Sequence, residues 1–79
     1  MKPNFLDLRD ERCPRALLLA KRHIARLDIR DIATIELTEL TSLQDIEHYL
    51  RNNDYCFTRV VLPDGWIIGS IQKLISQPL

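Results

Sequence analysis

The sequence predicts an α+β fold: a two-layer α/β sandwich in the order βαβαββ, with a mixed four-stranded sheet and two helices on one face. Three features predict it. Two segments place apolar residues at helical spacing, four short segments alternate or are rich in β-branched residues, and Pro63-Asp64-Gly65 marks a tight turn between the last two. Two successive β-α units cross over right-handedly and set both helices on the same side of the sheet, and the closing hairpin adds an antiparallel pair.

In the first strand, Phe5-Leu6-Asp7-Leu8-Arg9, Leu6 and Leu8 share a face. A charged stretch, Arg9-Asp10-Glu11-Arg12, leads to Cys13-Pro14. Proline suits the first helical position, where its missing N–H has no intrahelical partner to lose. From Pro14, Leu17, Ala20, Ile24 and Leu27 recur at helical spacing, predicting a helix of about 14 residues with Arg15, Lys21, Arg22 and Arg26 on its other faces. Residues 32–38 read as the second strand. Thr41 or Ser42 is placed to cap the second helix, with Gln44 or Asp45 three residues on to complete a capping box. Leu43, Ile46 and Leu50 form that helix's buried stripe, and Asn52-Asn53-Asp54 ends it. Residues 55–62 and 66 to about 73 are the last strands; in the turn between them proline presets φ and glycine accepts positive φ. The tail from Ser76 is expected to fray.

A chain of 79 residues is expected to be one domain over 1–79, with an ordered core over about 4–74. So small a core leaves the oligomeric state open. No segment approaches the ~20 apolar residues that span a bilayer, so no membrane association is expected. The first residues lack a signal peptide's apolar stretch, which makes the cytoplasm the expected compartment. Net charge is zero but uneven: residues 1–30 carry eight Lys/Arg against four acids, and residues 31–79 three against seven. Such a balance describes either solvated helix faces or a basic half around an anion-handling site. It does not describe a nucleic-acid footprint. The two cysteines lack the close pairing of zinc ligands, and with two glycines in the chain a phosphate-cradling loop is excluded.

Cys13 is the candidate for chemistry. A cysteine just before a helix meets unpaired backbone N–H groups and the positive end of the helix dipole, both of which favour the thiolate. Arg12 and Arg15 flank it and act in the same sense; Arg9 is a further cation within reach, and Pro14 fixes the helix entry. Cys56, between Tyr55 and Phe57, is expected to pack in the core or on a sheet face. His23 is about 15 Å along the helix from Cys13, too far to pair with it. Asp7 and Asp45 read as surface or capping carboxylates, and His48 as solvated.

The run Leu6-Asp7, then Glu11-Arg12-Cys13-Pro14 before an aliphatic and basic helix, resembles the TusA/SirA-like sulfur-carrier family, whose pattern is Leu-Asp-x-x-Gly-Leu-x-Cys-Pro-x-Pro. Glu39 and Asp45-Ile46 stand where that family has an acidic residue after strand two and an Asp-Ile pair opening helix two. The resemblance implies a persulfide carrier, or sulfurtransferase, in which Cys13 is the catalytic residue supported by Pro14, Arg12 and Arg15. It implies no metal or organic cofactor. Implied partners are a cysteine desulfurase or rhodanese-like sulfur donor and a downstream sulfur-acceptor protein in tRNA thiolation or sulfur-cofactor pathways. The alternative is a non-catalytic protein-binding or regulatory module of the same fold. Two positions depart from the pattern: Ala16 replaces the second proline, which should loosen the helix entry, and Asp10-Glu11 replaces Gly-Leu, leaving Asp10 to accept any positive φ there.

Overall fold

The computed structural model describes residues 4–12, 14–28 and 30–73. Cys13 and the tail beyond Lys73 lie outside the described residues. The elements are β1 (Phe5–Asp7), α1 (Arg15–Ala25), β2 (Ala33–Leu37), α2 (Leu40–Asn52), β3 (Tyr55–Leu62) and β4 (Gly65–Lys73). They form the expected α+β arrangement: two helices and a four-stranded mixed sheet in the order β1-β2-β4-β3. β1 and β2 are parallel, with Leu6 beside Ile35, whereas β4 runs antiparallel to both β2 and β3.

Alternation along β2 turns Ala33, Ile35 and Leu37 into the core and leaves Thr34 and Glu36 half-buried on the opposite face. Ala16, Ala20 and Ile24 of α1 and Leu43, Ile46 and Leu50 of α2 join them in a single buried cluster, so both helices cover the same side of the sheet. β4 contributes Ile68 and Ile71, which strict alternation would send to opposite faces. A register shift resolves this: between these two residues Ser70 takes φ 52°, the extra residue bulges, and both isoleucines face inward.

α1 begins one residue later than expected and runs for 11 residues, with Pro14 in the helical region (φ −91°, ψ −3°) just ahead of it. Its buried stripe starts at Ala16, and Leu17 is half-buried. The last turn tightens, Leu27 N–H donating to Ile24 O at 3.0 Å, so Leu27 is buried beyond the helix end.

The cap of α2 departs from expectation. Neither Thr41 nor Ser42 caps it. Glu39 takes the extended conformation ahead of Leu40 (φ −108°, ψ 125°), and its carbonyl accepts Leu43 N–H at 3.0 Å. Ser42, now inside the first turn and buried, donates its hydroxyl back to Glu39 Oε1 at 2.6 Å. The β3–β4 turn also works differently, since no glycine has positive φ. Gly65 is needed for close approach: a Cβ there would collide with the Leu37 carbonyl and press on Thr38.

One charged group is buried with the core. Glu47 on α2 is 2% exposed and accepts Nε of Arg59 from β3 at 2.7 Å and Nη2 at 2.5 Å, with Arg51 Nη2 at 3.6 Å. That hydrogen bonding raises the Arg59 pKa. A buried carboxylate so enclosed by guanidinium groups fixes how α2 sits on β3.

Candidate functional site

Because β1 and β2 are parallel, their carboxyl ends lie side by side, the place where open α/β sheets commonly bind ligands. The segment 8–12 leads from β1 to α1, and Thr38-Glu39 leads from β2 to α2. A cleft of about 390 Å³ lies between them, lined by Arg9, Asp10, Glu11, Arg12, Thr38 and Glu39. Arg12 lines this cleft, and Arg12 and Pro14 are the covalent neighbours of Cys13.

Local hydrogen bonding shapes the segment before Cys13. Leu8 N–H extends the β1–β2 ladder to Glu36 O at 2.7 Å, and Glu11 N–H turns back to Leu8 O at 3.1 Å. Asp7 accepts Arg9 N–H at 3.0 Å and takes the Arg9 guanidinium in a two-pronged pair, Nε at 2.9 Å and Nη2 at 2.8 Å. These bonds hold the Asp7 carboxyl down at about 2 and raise the Arg9 pKa. Glu36 stands 3.9 Å from the same guanidinium. Asp7 thus holds the loop after β1 through Arg9 backbone and side chain together. Across the cleft, Thr38 Oγ1 donates to the Arg9 carbonyl at 3.0 Å.

The cations expected around Cys13 differ in their engagements. Arg9 is committed to Asp7 and Glu36. Arg15 Nε pairs with Glu11 Oε1 at 3.1 Å, one helical turn back. Arg12 is exposed, and its carbonyl accepts Ala16 N–H at 2.8 Å. Where the family pattern has a second proline, the Ala16 N–H that a proline would lack ties α1 to Arg12. Asp10, in the glycine position, does not use positive φ.

The histidines stay apart from the site. His23 is half-buried, and its Nε2 meets the Asn4 carbonyl at 2.8 Å, pinning α1 to the start of β1. His48 is exposed and pairs with Asn52 Nδ2 at 2.9 Å. Cys56 is exposed rather than in the core, with its Sγ 3.5 Å from Gln72 O. Among the described residues no group of three His, Cys, Asp or Glu could hold a metal ion, and no helix is long and apolar enough to cross a membrane. Sequence reasoning missed Thr38, because a threonine at the end of a strand looks like any other β-branched residue.

Along α1, beside Pro14, runs a shallow apolar groove of about 510 Å³ lined by Pro14, Arg15, Leu17, Leu18 and Lys21, where Leu18 is 50% exposed. Lys21 Nζ lies 5.2 Å from the centre of the Tyr49 ring.

The open cleft and the exposed apolar groove thus both border the segment that leads from β1 into α1. The family model described as sulfurtransferase TusA matches residues 4–73, and the chain belongs to that family of sulfur carriers. Comparison with curated proteins and with solved structures finds no match.

Proposed function

We propose that this chain is a single-domain cytoplasmic persulfide carrier working through Cys13, with Pro14, Arg12 and Arg15 as supporting residues. The observation that carries the reading is the family match over residues 4–73, a span that includes the Cys13-Pro14 pair just before α1 in the sequence. The Cys13 thiolate attacks the terminal sulfur of a donor persulfide; a new S–S bond forms, the donor's S–S bond breaks, and the donor leaves as a thiolate. In delivery, an acceptor nucleophile attacks the terminal sulfur and Cys13 departs as a thiolate, so the cycle needs no net oxidant, metal or organic cofactor. The donor is a cysteine desulfurase or rhodanese-like protein, and the acceptor a protein of tRNA thiolation or sulfur-cofactor assembly. Exposed Leu18, beside the basic Arg15 and Lys21, gives such partners an apolar and cationic surface next to Pro14.

Intact-mass spectrometry after incubation with a cysteine desulfurase and L-cysteine tests this. The wild type and Cys56→Ser gain one sulfur atom, mapped to the Cys13 peptide, and Cys13→Ala gains none. If the wild type gains no sulfur while its thiol still alkylates, the chain is a binding module of the same fold.

A further inference from the structure

Thr38 is held from two sides. Its hydroxyl donates to the Arg9 carbonyl at 3.0 Å, bridging the loop after β1 to the loop after β2. Its Cα and methyl group lie against Gly65 at the tip of the β3–β4 hairpin, so closely that a Cβ on Gly65 would stand 3.2 Å from each. The hairpin thus backs Thr38, and Thr38 in turn holds the main chain of the loop four residues before Cys13. Arg9 is also fixed on its other side by Asp7, so the Thr38 bond adds to the Leu8–Glu36 bond a second connection between the loop after β1 and the end of β2. Glu39, next in the chain, is the residue from which α2 departs.

We propose that Thr38 is a positioning residue for Cys13: through the Arg9 carbonyl it holds the loop that leads to the cysteine against the β2–α2 junction. The proposal rests on the reading of Cys13 as the sulfur-bearing residue, but its test does not require sulfur transfer. With the hydroxyl gone, the loop keeps its Leu8–Glu36 bond to β2 but loses the Thr38 link to the β2–α2 junction, and Cys13 is expected to react more nearly as an ordinary cysteine.

The experiment compares Thr38→Val, which keeps the shape and removes the donor, with Thr38→Ser, which keeps the donor. Both are made in a Cys56→Ser background, because the exposed Cys56 thiol would also react. The rate of Cys13 alkylation by iodoacetamide is followed against pH by mass spectrometry, alongside the melting temperature. Thr38→Val is expected to move the profile up by about half a pH unit, roughly threefold slower alkylation at neutral pH, and Thr38→Ser to superimpose on the parent. A Thr38→Val profile that superimposes on the parent, whatever happens to the melting temperature, overturns the proposal. So does a Thr38→Ser profile displaced as far as that of Thr38→Val. If the Thr38→Val shift is present but the parent takes no sulfur from a persulfide donor, the positioning role stands and the carrier reading alone falls.

Discussion

Glu11 and Arg15 stand on either side of position 13, and their side chains meet at 3.1 Å. One of the two cations expected to favour a Cys13 thiolate is therefore shared with the carboxylate four residues before it. Glu11→Gln releases the guanidinium and removes a negative charge together. Cys13 should then alkylate about twofold faster at neutral pH and low salt, the gain shrinking as salt screens the exposed groups. Arg15→Gln should slow it. A rate series in two salt concentrations checks both.

The helix entry offers a second test. Ala16→Pro restores the proline of the family pattern, yet it deletes the N–H that donates to Arg12 O at 2.8 Å. Ala16 is fully buried, so the larger ring must also find space. The substitution should destabilise the fold by about 1 kcal/mol or more, read from urea unfolding midpoints. Thermal stabilisation would mean that the Arg12 bond contributes nothing.

Acid should release the β1 loop. The Asp7 carboxyl is held at about 2 against an ordinary value of 3.8, so its contribution to stability is present above 3.8 and lost as pH falls toward 2. Because the pair is exposed, the effect is small. Comparing urea midpoints of wild type and Asp7→Asn from neutral pH downward should show the two curves converging in that window.

The buried ion pair should matter more to stability. Arg59→Met leaves Glu47, 2% exposed, with Arg51 as its remaining cation at 3.6 Å. A clear loss of stability is expected, since the buried carboxylate then keeps only the longer Arg51 contact. Arg51→Met, which leaves the two-pronged Arg59 contact intact, should cost about 0.5 kcal/mol. Equal losses in denaturant titrations would contradict the geometry.

Much of this fold was legible in residue patterns, because the patterns are local. The stripe of Leu43, Ile46 and Leu50 and the bounds of β3 follow from periodicity and turn chemistry alone. Features set by tertiary contact were not. The Ser70 bulge is dictated by the need to bury both Ile68 and Ile71 against β2. Gly65 looked like a turn glycine, and its actual constraint, the Leu37 carbonyl, lies in another strand. Ser42 read as a cap, whereas its hydroxyl donates back to Glu39 from inside the helix. At the candidate site, the charges around Cys13 were visible, but not their partners: Arg9 goes to Asp7, Arg15 to Glu11, and Thr38 to Arg9.

The strand order has a consequence for synthesis. β4 sits between β2 and β3, so the middle of the sheet is supplied by the strand that leaves the ribosome after the other three. Until residues 65–73 emerge, β2 has only the three-residue β1 beside it, and β3 lacks the strand that joins it to the rest. Between the synthesis of β2 and that of β4 the β2 edge thus has no antiparallel partner, and the sheet closes in one late, long-range step.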